Sequence, residues 1–309
     1  MMERFTFLLV MVISGGALYA QTPMLTDAMM TPRKDLGAGI FYGYDSWTNY
    51  WEGTLKRDNG NIGTLTTQSA SWMGVYGINS KVTVIGMLPY VWTKPSGGTL
   101  AGQKGIQDLT LAGKYNFLTK EVGSNRFSAF VLGSFSAPMS NYTPDFLPMS
   151  IGLASKNFSS RLTLNYVVKQ TWYATASGAY TWRSNITLDR PSYYADQFYS
   201  TDQVDMPNTF DFIVRAGYQK ETWTAELYFT QQNTLGGGDI RRQDMPFPSY
   251  KMNYSKVGAS LLWMVPKFKN LALRAWGGYT VAGRNVGQSV SVMTGFMYTF
   301  HFGKQTTTE

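Results

Sequence analysis

Polar and apolar residues alternate with a period of two along most of this chain. In the segment 105–117, Leu111 and Tyr115 fall on one face of an extended strand while Lys114 falls on the other. Side chains that change face at every residue predict β-strands, because a helix would repeat its apolar positions three and four residues apart. The same alternation returns at 209–219, 222–230 and 289–302. We therefore predict an all-β fold.

Twelve long strands follow from this pattern, and their connections alternate in length. The predicted strands cover residues 36–51, 65–78, 82–92, 105–117, 126–137, 157–168, 171–183, 208–219, 222–232, 250–264, 271–281 and 289–302. Short turns are predicted at 79–81, 118–125, 169–170, 220–221 and 266–270, and longer polar loops at 52–64, 93–103, 138–156, 183–207 and 236–249. Short turns at one end and long loops at the other are typical of an outer-membrane β-barrel. Splitting 36–57 and adding a strand from 148–156 would give fourteen strands, which is the alternative count.

The two ends of the chain predict how it reaches the membrane. Met1–Ala20 has the short basic start, the brief apolar run and the small-residue end of a cleaved secretory signal peptide. Residues 21–35 would then form a short periplasmic segment, 36–302 the transmembrane β-barrel and 303–309 a C-terminal tail. The aromatic run Phe296–Phe302 resembles the signal read by the outer-membrane assembly machinery. We expect the bacterial outer membrane as the location, with its lipid and that machinery as partners.

Aromatic residues near the predicted strand ends also favour a bilayer. Their amphipathic rings would form girdles at the two lipid interfaces; the residues are Trp92, Phe117, Trp172, Trp182, Trp223, Trp263 and Phe302. The alternative is a soluble β-sandwich or propeller with tryptophan in its core. Strands in such folds average about 5–6 residues, which is shorter than the strands predicted here.

The composition excludes several classes of scaffold and metal site. Of 309 residues, 15% are charged and 15% are aromatic, the formal charge is +8, and there are no Cys and one His. A disulfide scaffold, a Cys-liganded metal site and a two-His zinc motif are therefore excluded. Nucleic-acid binding would need basic residues clustered on one face, whereas these are spread along the chain. No cofactor and no metal ion is expected.

Inward-facing charges are the candidate functional residues. A charged side chain on the lipid face costs about 2–4 kcal/mol at mid-bilayer, so the alternation assigns the strand charges to the lumen. The candidate lumen-lining residues are Asp108, Lys114, Arg161, Asp211, Arg215, Glu226, Lys256 and Arg274. These charges would either pair with one another and fill the barrel or line a conducting lumen that favours anionic or amphipathic solutes. Both alternatives stay open for a barrel of about twelve strands.

Several segments resemble one known family of outer-membrane proteins. They are Leu88-Pro89-Tyr90, then Gly105–Leu111 with Lys114-Tyr115, and later Ser177–Thr181. Together they resemble the MetA-pathway phenol-degradation family, which is similar to the long-chain fatty-acid and toluene channels. The resemblance implies a barrel that passes small hydrophobic molecules. Fatty-acid channels carry a substantial N-terminal plug, whereas residues 21–34 offer one short segment here.

The sequence gives little support to an enzyme. No G-x-S-x-G motif is present, and His301, the single imidazole, falls at the end of the last strand, where we interpret it as a polar lumen or rim residue. The acidic residues of the 183–205 loop, Asp189, Asp196, Asp202 and Asp205, match no calcium-loop spacing. No catalytic residue is assigned.

The predicted function is passive admission of small hydrophobic or amphipathic molecules through an outer-membrane barrel. The first alternative is a structural or assembly-partner barrel whose loops dock a surface protein. Its candidate external-loop contacts are Tyr193, Tyr194, Phe198 and Tyr199, because exposed aromatic side chains often anchor protein partners. The second alternative is a membrane-embedded enzyme.

Overall fold

The computed structural model describes residues 24–195, 197–241, 244–268 and 270–302. The predicted signal peptide, the predicted tail at 303–309 and Asp196 lie outside the described residues. Within the described part of the chain, no helix is long and apolar enough to cross a membrane.

Twelve long strands make up the barrel, and they are numbered here in chain order. The strands are β1 (Asp35–Trp47), β2 (Leu65–Asn79), β3 (Val82–Pro95), β4 (Asp108–Val122), β5 (Asn125–Pro138), β6 (Asn157–Val168), β7 (Trp172–Arg183), β8 (Thr209–Gln219), β9 (Trp223–Thr234), β10 (Asn253–Met264), β11 (Leu271–Arg284) and β12 (Val290–His301). A three-residue strand, Lys104–Ile106, pairs with the outer end of β3.

Each barrel strand pairs antiparallel with its neighbours in sequence, and the first strand also pairs with the last. Ala38 of β1 lies opposite Gly74 of β2 and opposite Tyr298 of β12. This seam closes the sheet, so no long strand keeps an unpaired edge. The prediction of an all-β barrel of twelve antiparallel strands is confirmed.

The alternative of fourteen strands is not formed in the described residues. The region after β1 makes a small external hairpin, Asn49–Glu52 with Leu55–Asp58, rather than another wall strand. Residues 148–156 contain no strand.

The alternation in the sequence corresponds to two different surfaces. On β12, Val292, Phe296 and Phe300 are 44–49% exposed on the outer face, while Met297 and Thr299 are buried inside.

Aromatic rings meet near both ends of the barrel. Trp172 packs edge-on against Tyr218 at a centroid distance of 4.8 Å near the end with the short turns, and Tyr180 lies 4.6 Å from Trp182 near the end with the loops.

Strand boundaries differ from the sequence prediction mainly where the alternation breaks. The pairing of β4 with β5 shifts between Asn116 and Leu118, so one extra residue enters β4 and its later side chains change face. We predicted a turn over 118–125, but the strand continues to Val122 and the turn is shorter. Gly123, which has a φ of 61°, supplies the left-handed conformation that this tight turn needs.

The long external loops pack against one another. One apolar cluster joins the 184–208 and 235–252 connections through residues that include Ile186, Val204, Ile240 and Phe247. A second cluster, containing Ile62, Leu65 and Met149, joins the connections after β1, β3 and β5. These loops therefore form ordered structure around the outer end of the barrel.

Charged groups reinforce the external loops. The Arg284 guanidinium lies 2.7 Å from Asp239 through Nε, and Asn285 donates to the same carboxylate at 2.8 Å. The hydrogen bonds from Arg284 lower the pKa of Asp239 to about 2. Since that carboxylate is ionised above this value, we expect the ion pair to persist until the pH falls towards 2.

The two-surface barrel predicts a specific effect of charge on stability. Leu162 is 50% exposed on the outer face near the middle of β6, where it would contact lipid chains. We expect Leu162→Arg to lower the free energy of unfolding by about 2–4 kcal/mol, because the cation would enter hydrocarbon. Denaturant titration of the barrel in phospholipid vesicles measures this quantity.

Leu55→Arg is the matched control, since Leu55 is 57% exposed in the external hairpin and outside the barrel wall. Its stability should stay within about 0.5 kcal/mol of the wild type, as for an ordinary surface substitution. Equal effects of the two substitutions would contradict a lipid-facing β6.

Candidate functional site

The interior of the barrel contains the eight charged residues singled out from the sequence. Lys114, Arg161, Glu226 and Arg274 are buried, and Asp108, Asp211, Arg215 and Lys256 are half-buried. They form several separate groups along the lumen rather than one cluster. Each acid among them has a polar partner.

Two of these groups join neighbouring strands. Arg161 of β6 lies 2.5 Å from Asp211 of β8 and donates to Ser177 of β7 at 3.2 Å. Arg215 of β8 pairs with Glu226 of β9. Both pairs neutralise charge inside the barrel; the first links β6, β7 and β8, and the second links β8 to β9.

The Glu226 carboxylate has further partners on the same wall. The Tyr173 hydroxyl donates to it at 2.8 Å, and the Ser260 hydroxyl donates at 2.9 Å. Together with Arg215, these hydroxyl groups surround the Glu226 carboxylate and form a polar network across β7, β8, β9 and β10.

Two groups lie nearer the outer end. Lys256 is 3.7 Å from Asp45 of β1 and 3.1 Å from the Ser289 hydroxyl. Asp108 accepts a hydrogen bond from the Tyr142 hydroxyl of an external loop at 2.6 Å. Burial and this neighbouring carboxylate raise the pKa of Tyr142, so the phenol stays protonated at neutral pH.

The remaining two cations, Lys114 and Arg274, both pair with Asp27, which was not among the residues singled out from the sequence. Asp27 is 4% exposed, with Lys114 Nζ at 3.1 Å from one of its oxygens and Arg274 Nη1 at 3.2 Å from the other. Lys114 belongs to β4 and Arg274 to β11, on well-separated parts of the twelve-strand ring. Asp27 therefore lies between them in the lumen.

The N-terminal segment, defined here as residues 24–34, enters the barrel with Asp27. Lys114 Nζ also donates to the carbonyl oxygens of Asp27 and Met29, at 3.0 Å and 3.3 Å. Arg215 of β8 donates to the Thr26 hydroxyl at 2.6 Å. The backbone amide of Thr31 donates to the Thr83 hydroxyl of β3 at 3.0 Å.

These contacts differ from the sequence expectation of a short periplasmic stretch over 21–35. Residues 24–31 contact inward side chains from four strands, because the two inward cations Lys114 and Arg274 need a counter-charge and Asp27 supplies it. Gly77 lets the segment approach the wall, since an added Cβ would lie 1.9 Å from the Pro32 carbonyl oxygen. The short segment therefore occupies part of the lumen despite its length.

An apolar patch covers the opposite part of the interior wall. It consists of inward side chains from β1, β2, β3, β4, β5 and β12: Phe41, Met73, Val75, Ile85, Ala112, Leu132 and Met297. Met24 and Leu25 of the N-terminal segment pack on it, together with Trp276 and Met293. The lumen was expected to be lined by polar residues only, and that expectation overlooked this patch, although the period-two pattern places Phe41 and Met73 on the inward face.

The external aromatic residues divide between the two faces of a small hairpin, Tyr193-Tyr194 paired with Phe198-Tyr199. Tyr193 stacks on Tyr199 at 4.9 Å and on Phe247 at 5.0 Å, so this face is packed into the loop cluster. Tyr194 and Phe198, on the other face, are 53% and 65% exposed.

His301 lies at the seam between the first and last strands. Its Nδ1 is 2.9 Å from Asp35, its register partner on β1, and its Nε2 is 3.3 Å from the Asn270 amide oxygen. Across the described ranges, no group of three or more His, Asp or Glu side chains is arranged to hold a metal ion.

Comparison with known proteins identifies the family. The family model described as "Putative MetA-pathway of phenol degradation" matches residues 60–296, which is most of the chain. The chain belongs to this family. The resemblance noted from the sequence is thereby confirmed, and no curated protein sequence matches the chain.

Solved structures agree with this family assignment at the level of the fold. The COG4313 outer membrane channel from Pseudomonas putida F1 is 15% identical, with a TM-score of 0.70 over 91% of this chain and 100% of that chain. The KdgM porin is 10% identical, with a TM-score of 0.45 over 85% and 99%, and a TodX monoaromatic hydrocarbon channel mutant is 9% identical, with 0.44 over 88% and 91%. The first likeness gives this family member the fold of a bacterial outer-membrane barrel, in agreement with the predicted location; the other two scores are too low to add to it.

The position of Asp27 predicts how this family member responds to loss of one charge. In Asp27→Asn, Lys114 and Arg274 would lose their shared carboxylate, and breaking a buried pair of this kind costs about 3–5 kcal/mol. We expect the N-terminal segment to leave its place in most molecules. Single-channel conductance in planar bilayers should then rise above that of the wild type.

Two controls accompany this measurement. Asp58→Asn removes an exposed carboxylate from the external hairpin and should leave the conductance unchanged. Adding Thr31→Cys and Thr83→Cys to Asp27→Asn would let a disulfide hold the segment to β3, in a chain that has no other Cys. Oxidation should lower the conductance and reduction should restore it. Wild-type conductance in Asp27→Asn, or no response of the double-Cys variant to oxidation, would contradict a lumen-filling segment held by Asp27.

Proposed function

We propose that this protein is an outer-membrane channel that passively admits small hydrophobic or amphipathic molecules. The observation that carries the proposal is the two-sided lumen, in which an apolar patch on one wall faces an ion-paired polar network on the other. Family membership and the fold of a solved outer membrane channel support it.

The apolar patch argues for the class of solute. The interior of an ordinary porin is polar, and apolar side chains there would expose surface to water at a cost of about 25 cal/mol per Å². Here Phe41, Met73 and Met297 are shielded by Met24 and Leu25. A passing hydrophobic group can replace part of that shielding without a large penalty.

The polar wall argues for an amphipathic rather than a purely apolar path. Its hydroxyl, amide and charged groups run along β6 to β10 and offer hydrogen bonds to a polar end of the solute. Ion pairs neutralise Arg161, Arg215 and Lys256 on this wall, so a neutral molecule meets no strong barrier there. The channel requires no cofactor and no covalent step.

Uptake by whole cells tests the proposal. The barrel is expressed in a Gram-negative host with an intact lipopolysaccharide layer, and entry of the neutral aromatic dye N-phenyl-1-naphthylamine is followed by fluorescence. We expect faster uptake than in cells that lack the barrel. The proposal would be contradicted if expression of the barrel did not speed dye uptake by cells and the purified barrel carried no ion current in bilayers.

One substitution tests the role of the apolar patch. Met293 is half-buried and inward on β12, beside that patch. Met293→Gln should slow dye uptake by about three- to tenfold, since full burial of a Met side chain contributes about 1.5–3 kcal/mol and Met293 is half-buried. Met139→Gln, at an exposed position just after β5, is the matched control and should have no effect.

A surface partner is the second candidate, favoured by the exposed pair Tyr194 and Phe198. Two exposed aromatic side chains on one face of a loop hairpin resemble the anchors of a protein interface. Tyr194→Ser with Phe198→Ser separates the two functions, because dye uptake through the lumen should be unchanged. Loss of uptake in this variant would argue that the hairpin, not the lumen, governs entry.

A further inference from the structure

Among the described residues, Arg183 is a half-buried cation on the inward face that has no acidic partner. Asp27, Asp45, Asp211 and Glu226 each have a cationic partner, and Asp108 has the Tyr142 hydroxyl. Among the residues that the structure describes, no carboxylate lies within ion-pair distance of the Arg183 guanidinium. It is half-buried rather than freely solvated.

The place of Arg183 is at the outer entrance of the lumen. It is the last residue of β7, and the alternation along that strand puts it on the inward face with Ser177, Ala179 and Thr181. Its register partner on β6 is Asn157. A solute arriving from outside would meet it before reaching the N-terminal segment.

Further polar groups lie with Arg183 on the part of the wall formed by β7 to β10. The Tyr254 phenol of β10 is an electrostatic neighbour of Arg183, Arg161 and Asp211. Lys256 Nζ lies 5.3 Å from the centre of the Tyr254 ring. Asp211 and Asp45 pair with Arg161 and Lys256, so Arg183 is the member of this group that has no acidic partner.

We propose that Arg183 binds the carboxylate of an amphipathic aromatic solute at the outer end of the lumen. A guanidinium presents its donors in a planar fork that matches a carboxylate, and such charge-assisted pairs are among the stronger hydrogen bonds. As the solute passes further inward, the apolar patch with Trp276 and Met293 beside it offers its ring an apolar surface. This inference rests on the proposed channel function and names its substrate class.

Block of single-channel current by benzoate tests the site directly. Wild-type barrel in planar bilayers is exposed at neutral pH to rising benzoate and, separately, to benzyl alcohol, which has a similar ring and no charge. We expect benzoate to interrupt the current at a concentration at least about tenfold lower than benzyl alcohol, as one charge-assisted hydrogen bond would give.

Substitutions test whether Arg183 is the residue responsible for the block by benzoate. Arg183→Gln should raise the half-blocking benzoate concentration to that of benzyl alcohol, and Arg183→Lys should keep part of the difference. Lys220→Gln removes one positive charge from an exposed periplasmic turn and should behave as the wild type. Heat-dependent migration on gels verifies that each variant is folded, and the wild-type comparison of the two solutes remains decisive if Arg183→Gln does not fold.

The outcomes separate the two proposals. Equal block by both solutes, or unchanged benzoate block in folded Arg183→Gln, would overturn the carboxylate site while leaving the channel intact. Absence of any current in the wild type would overturn the channel itself. A lowered benzoate affinity in Lys220→Gln as large as that in Arg183→Gln would show that only overall charge matters, and would also overturn the site.

Discussion

Closure of the sheet is the constraint on which the rest of this structure depends. The interior of a bilayer offers no water to unpaired backbone groups, so a spanning sheet must join its first strand to its last. The pairing of β1 with β12 satisfies this requirement. Closure then divides all side chains between lipid and lumen, and the charged residues of the strands have to lie inside.

The enclosed charges explain how such a short N-terminal segment can enter the barrel. Three of the inward cations obtain acidic partners on other strands, but Lys114 and Arg274 share only Asp27. Burial makes an uncompensated charge costly, and this cost fixes the segment more firmly than its few apolar contacts would. The same interaction narrows the lumen and places Met24 and Leu25 on the apolar patch.

Much of the barrel was predictable because strand alternation is a local signal. The prediction for β6 reproduces its bounds, 157–168, and the inward positions of Lys114 and Arg215 follow from parity alone. The predicted end of β4 was wrong because the register shift between Asn116 and Leu118 reverses which later side chains face inward. No local feature of the sequence marks the position of that shift.

Features that depend on distant residues could not be read from the sequence. Asp27 meets partners 87 and 247 positions away, so its role emerges only when the barrel is closed. Among the described residues, the lack of a carboxylate within ion-pair distance of Arg183 depends in the same way on where the other acids lie. The inward apolar patch was visible in the parity of Phe41 and Met73, but a polar interior was assumed for the whole lumen.

Accessibility of neighbouring side chains to a water-soluble reagent tests the central claim, a solute path inside a lipid-facing wall. Met293 points inward and Thr294 outward on β12, and the chain has no Cys of its own. A charged methanethiosulfonate reagent added from outside should modify Met293→Cys and reduce its single-channel current, while Thr294→Cys stays unmodified. Modification of Thr294→Cys alone, or modification of Met293→Cys with no change in current, would contradict this account.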